Sequence, residues 1–148
     1  MGFLFGSGIK LIAISDKEIK MPIALKEKES LELKIGEDKV EVYFCLPRAK
    51  EFVRYLALSL AQSGKEGMER MLEAGMELAE ACLLGIREGD IILQDGEGKK
   101  PLITEPSKSG YKDNWKEIIK ERMPVLLLVL GNYLVKRTRA ELEVREKN

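Results

Sequence analysis

The chain contains no histidine. That removes Ser-His-Asp triads, Cys-His nucleophile pairs and imidazole metal sites. It contains two cysteines, Cys45 and Cys82, 37 positions apart. This spacing excludes a Cys-x-x-Cys clip, and two isolated thiols do not form a disulfide framework. Both sit among apolar residues, where free cysteine behaves as a small hydrophobe. Net charge is missing too, with 25 Lys plus Arg against 25 Asp plus Glu. A nucleic-acid binder normally carries a basic excess or a basic face, so no nucleic-acid partner is expected. The one basic cluster, Lys136-Arg137-Thr138-Arg139, fits the end of a helix, where the dipole favours cations. Amides are scarce: Gln62, Gln94, Asn114, Asn132 and Asn148 are the full set. Abundant Lys and Glu with few thermolabile amides predict a thermophilic source.

No apolar run reaches the roughly 20 residues that span a bilayer as a helix, so no membrane partner is expected. The opening Met-Gly-Phe-Leu-Phe-Gly-Ser-Gly lacks the basic and long apolar regions of a secretory signal. The expected compartment is the cytoplasm. Carboxylates are plentiful, but at solvent-face spacing on predicted helices, which favours solvation over a paired acid/base site. Gly6-Ser7-Gly8 precedes a strand rather than a helix, the wrong order for a dinucleotide fingerprint. The Gly-rich stretch from Asp95 to Lys100 runs into Pro101 and lacks the Ser/Thr of a P-loop. Both read as turns, so no catalytic, cofactor or metal residues are assigned.

What the chain does have is pattern. Its 148 residues suit a single domain with a real core. Short apolar runs at 9–14 and 22–25 are long enough for strands. Leu31, Leu33 and Ile35 alternate with Glu32 and Lys34; Val40, Val42 and Phe44 alternate with Glu41 and Tyr43. Two period-two runs around a Gly-containing loop predict a hairpin with one buried face. Such a hairpin is marginal alone, so it must pack on the helices C-terminal to it. Pro47 is placed to open a helix whose face is Phe52, Val53, Leu56 and Leu60, ended by Ser63-Gly64. Met68, Met71, Leu72, Gly75, Ala79, Cys82, Leu83 and Ile86 continue at helical spacing, to a stop at Gly89-Asp90. Residues 89–112 read as a loop or small hairpin insertion, with strands at 91–93 and 101–104. Asp113 is placed to cap a helix carrying Trp115, Ile118, Ile119 and Met123. The expected fold is α+β and mostly α-helical. An N-terminal β-hairpin or small antiparallel sheet (1–46) packs on a bundle of about four helices, two in 47–88 and the rest in 113–140. Residues 141–148 are expected to fray.

The most informative stretch is Met123–Val135, thirteen uncharged residues between Arg122 and Lys136 in a chain that is 34% charged. A helix apolar on nearly all sides must be covered all round. Leu127, Leu130, Gly131 and Leu134 make one face; Val125, Leu128, Asn132 and Val135 make much of the rest. Either the helix is central to the core, or its second face meets another chain and Asn132 is a buried polar group seeking partners. Met68, Met71 and Met76 divide similarly between core filling and an adaptable binding surface. The protein-binding candidates are therefore Val125, Leu128, Asn132, Val135, Met68 and Met76.

Three pieces in order resemble the tail assembly chaperones of long-tailed bacteriophages and their prophage remnants. The first is the aromatic strand Val42-Tyr43-Phe44 stepping through Pro47 into a helix with Phe52. The second is Ala81-Cys82-Leu83 on a later helix. The third is Pro124 followed by Leu130-Gly131-Asn132-Tyr133-Leu134. The match spans about residues 40–136; the 89–112 segment is longer than the family pattern, and the first 30 residues have no counterpart in it. The resemblance implies a protein without catalysis or cofactor, acting in the host cytoplasm. It implies tape-measure and tail-tube proteins as partners, self-association as a further option, and apolar grooves between helices as the means. It also implies a frameshifted longer form, and Glu146-Lys147-Asn148 is encodable by a slippery heptamer. The alternative is a small helical adaptor or regulatory subunit of a cellular complex, and behind it a carboxylate-dependent enzyme.

Overall fold

The structure is a computed structural model; it describes residues 3–6, 8–10, 27–60 and 64–141. Strands β1 (Phe3–Gly6) and β2 (Gly8–Lys10) pair antiparallel with an irregular register. The expected strand at 22–25, most of that at 9–14, Ser63 and the tail 142–148 lie outside the described residues. Strand β3 (Glu29–Ile35) and strand β4 (Asp38–Phe44) form the hairpin that the alternation predicts. Ile35 pairs with Asp38, leaving a two-residue turn whose Gly36 sits at φ 63°, a conformation that favours glycine. Leu33, Val40, Val42 and Phe44 are buried while Glu32 and Lys34 are exposed.

Helix α1 (Ala49–Ser59) follows two residues after Pro47, which therefore precedes the helix rather than opening it. Arg48 is the N-cap, and its N–H donates to Glu51 Oε1 at 3.0 Å, satisfying one of the orphan donors of a helix start. The buried residue of α1 is Tyr55; Val53 and Leu60 are exposed. The core-facing side is thus rotated from the expected face toward Phe52, Tyr55 and Leu56. Helix α2 (Gly64–Cys82) stops earlier than its periodicity suggests. Leu83–Ile86 is not helix but strand β5, antiparallel to β4 and completing the order β3-β4-β5. Leu83 and Ile86, three apart, fit a helix face and an apolar strand equally well, and pairing with Val42 and Phe44 decides for the strand.

The 89–112 segment holds a second hairpin, β6 (Ile92–Asp95) with β7 (Gly98–Pro101). After it the chain returns to the sheet edge. Buried Thr104 accepts from the Ile86 N–H at 3.0 Å and donates to the Ile86 carbonyl at 3.3 Å. One hydroxyl therefore stands where a neighbouring strand would, answering an edge that would otherwise present unpaired backbone. Helix α3 (Trp115–Arg122) is capped at Asn114, without a side-chain bond, rather than by Asp113. Helix α4 (Pro124–Glu141) is the apolar segment. The architecture is α+β; the described residues hold four helices, a three-stranded antiparallel sheet and two small hairpins.

The core lies between the hairpin's apolar face and the helices. Leu127, Leu130 and Leu134 of the expected inner face of α4 are each at most 1% exposed, but Leu126, not assigned to it, is as deeply buried, and Val135, assigned to the other face, is core as well at 7%. They meet Ala74, Leu78, Ala79 and Cys82 of α2, Trp115 and Ile119 of α3, and the sheet. Phe44 packs edge-on against Tyr133, centroids 5.8 Å apart, a favoured aromatic geometry. A two-pronged ion pair adds a polar tie: Arg137 Nη1 and Nη2 reach Glu29 Oε1 and Oε2 at 2.7 and 3.2 Å. It joins the last turns of α4 to the first residue of β3 and fixes the helix on the sheet.

Candidate functional site

The two longest helices cross at two glycines. A Cβ added to Gly131 of α4 would fall on the carbonyl oxygen of Gly75 in α2 and lie 2.9 Å from that carbonyl's carbon. Only the missing side chain lets the backbones approach so closely. Beyond this crossing, toward the start of α2 and the end of α4, lies an apolar groove of about 260 Å³. Met68, Met71 and Leu72 line it from α2, and Leu128, Asn132 and Val135 from α4. Tyr55 of α1 closes it, itself only 6% exposed and stacked on Phe52 with centroids 6.0 Å apart. Lys136 and Arg139 supply cations at the α4 side; among the described residues no acidic side chain lines the groove.

Four of the six protein-binding candidates meet here: Met68, Leu128, Asn132 and Val135. Val125 is 42% exposed and lies outside the groove. Met76 also lies outside it, half-buried against the core. Asn132 is exposed at the groove wall rather than buried. Its amide is solvated there, so the demand for internal partners falls away. Met68 is 62% exposed and Leu72 51%, so of core filling and an adaptable surface, Met68 lies on the surface. Tyr55 went unnoticed in the sequence, although its spacing from Phe52 was the available signal. The other motif residues are structural. Tyr43 sits on the outer sheet face, Phe44 and Cys82 are core, and Pro124 is the first residue of α4.

A second, polar cleft of about 340 Å³ lies between the outer sheet face and the 103–108 loop. Tyr43 and Gly85 contribute to its floor, and Lys28 Nζ stands 4.5 Å over the Tyr43 ring. Its other cations are engaged. Lys108 pairs with Glu88 at 3.0 Å, and Arg87 reaches Asp90 and Glu41 at 3.0 and 3.4 Å. Burial, then repulsion from Glu41, raises the Tyr43 phenol above its ordinary value. The Glu88 hydrogen bond raises Lys108; the Asp90 hydrogen bond raises Arg87. For Asp90, burial pushes upward, but the Glu41 N–H at 2.8 Å and the Arg87 guanidinium outweigh it and hold the carboxyl low. Burial, reinforced by the neighbouring Cys45, pushes the Cys82 thiol up to about 12.

These shifts share a sense: each carries its group further from neutrality. A general acid or base works best when tuned toward the operating pH, and these five groups are tuned the other way. Among the described residues, no group of three or more His, Cys, Asp or Glu gathers as a metal site. No helix of the described residues is long and apolar enough to cross a membrane. Comparison with protein-family models, with curated proteins and with solved structures finds no match.

Proposed function

We propose that this chain is a non-enzymatic assembly chaperone of a long-tailed bacteriophage or a prophage relative. It holds apolar helical segments of the tape-measure protein, and engages tail-tube subunits, before the tail polymerises. The observation that carries the reading is the open groove between α2 and α4, which gathers Met68, Leu128, Asn132 and Val135. Methionine and leucine walls adapt to varied apolar side chains. A groove between helices accepts an amphipathic helix through anchors at i, i+3/i+4 and i+7. The Pro-to-Leu-Gly-Asn motif of α4 has a physical sense in this setting. Pro124 starts the helix, Gly131 sets the crossing, and Asn132 lies on the groove wall.

Co-expression with a tape-measure protein from the same genome, followed by pull-down, tests the proposal. The two are expected to co-purify, and the tape-measure protein's soluble fraction to rise several-fold. Failure on both counts, with the chain itself soluble and folded, sinks the reading and favours the adaptor or regulatory subunit.

A further inference from the structure

The sequence separates Cys45 and Cys82 by 37 positions; the sheet brings them face to face. Phe44 pairs with Leu83 across β4 and β5. One step further along the same register, Cys45 stands opposite Cys82. The Cys45 N–H donates to the Cys82 carbonyl at 2.9 Å. Antiparallel neighbours joined by such a bond have Cα atoms about 5.5 Å apart, inside the window a disulfide bridges. The Cys45 thiol lies close enough to help raise the Cys82 thiol. Both are free thiols, Cys82 fully buried and Cys45 half-buried.

We infer that Cys45 and Cys82 are a redox modification site, closing to an intramolecular disulfide that ties the end of the central strand to the last residue of α2. The oxidant is a low-molecular-weight disulfide such as oxidised glutathione. The more accessible Cys45, as thiolate, attacks one sulfur of that disulfide. The S–S bond breaks, a mixed disulfide forms, and one glutathione thiolate leaves. Cys82 then yields its proton to solvent, and its sulfur attacks the Cys45 sulfur. The internal S–S bond forms and the second glutathione leaves as thiolate. Both thiolates take up protons, so two protein thiols are oxidised while one disulfide becomes two thiols. Burial of Cys82 makes the second step the slow one, because the thiolate is the nucleophile. Closure is therefore faster at pH 9 than at pH 7.

The test incubates the folded, full-length protein with excess oxidised glutathione. Free thiols are then titrated after denaturation, and the protein is mapped by mass spectrometry without reduction. Both thiols are expected to disappear, with a monomeric mass lighter by two hydrogens and a peptide linking Cys45 to Cys82, all reversed by dithiothreitol. Cys82→Ala is expected to stop at the Cys45 mixed disulfide, and Cys45→Ser to prevent reaction in the folded state. The inference is overturned if the folded wild type keeps both thiols, stops at the mixed disulfide, cross-links only between chains, or closes only in denaturant. None of these outcomes bears on the groove.

Discussion

Two side chains stand in for backbone at the same end of the β4–β5 pair, where Val42 meets Ile86. Thr104 supplies both a donor and an acceptor to Ile86 on the outer edge of β5. Replacing it with valine keeps the shape and leaves both backbone groups buried and unanswered. Unsatisfied buried polar groups cost about 1–3 kcal/mol. Thr104→Val is thus expected to lower the urea midpoint by a corresponding amount, while Thr104→Ser retains most of the stability; equal loss in both would assign the effect to packing of the methyl group. Asp90 accepts the Glu41 N–H on one oxygen and the Arg87 guanidinium on the other. Its carboxyl titrates below the ordinary carboxylate range in the folded state. A depressed folded value stabilises the fold above the unfolded value, near about pH 4, and that stabilisation fades as pH falls through the folded value. The stability gap between wild type and Asp90→Asn should be full above about pH 5 and should shrink as the pH drops below about 4. A gap that is constant from neutral pH to pH 2 would mean that the carboxylate charge is not its source.

At the scale of elements, the crossing of α2 and α4 sets where the groove begins. Gly131 faces backbone, not a flexible side-chain end, so a methyl there cannot be absorbed by a rotamer change. Gly131→Ala is expected to cost about 1–3 kcal/mol, as overpacking does, and to shift the helices apart; calorimetric unfolding reads the first, and an unchanged Tm would refute the close contact. That α4 is buried on Leu126, Leu127, Leu130 and Leu134 was legible from composition alone, because a helix so apolar has nowhere else to go. The β3-β4 hairpin was legible because alternation and turn are local signals. Strand β5 was not. Leu83–Ile86 continues an amphipathic period, and only pairing with Val42, 44 residues away in sequence, turns it into sheet. The meeting of Cys45 with Cys82 depends on that same non-local register. The groove was half legible: helical spacing selected Met68, Leu128, Asn132 and Val135, but the rotation of α2 that exposes Met68 and Leu72 comes from the α1 and α4 contacts. The i, i+3 step from Phe52 to Tyr55 was there to read, but Val53 stands in the same step to Leu56, so the period does not choose between them.

For the molecule as a whole, the question is whether the exposed apolar side chains serve the fold or a partner. Met68 and Leu72 are 62% and 51% exposed on the groove wall, and Val53 of α1 is 62% exposed outside it. Substitutions at sites this exposed usually stay within about 0.5 kcal/mol, so a charge there separates function from stability. The double variant Met68→Glu, Leu72→Glu is expected to unfold at nearly the wild-type midpoint and, on the proposed function, to lose most of its binding to a co-expressed tape-measure protein. Val53→Glu adds a charge of the same sign at similar exposure and is expected to bind as wild type does. The contrast isolates the groove from net charge, which matters because Lys136 and Arg139 line it and electrostatic complementarity acts on association as well. If the double variant keeps its partner as soluble as Val53→Glu does, the groove is not the binding surface. If the double variant instead unfolds early, Met68 and Leu72 serve the core of the fold rather than a partner.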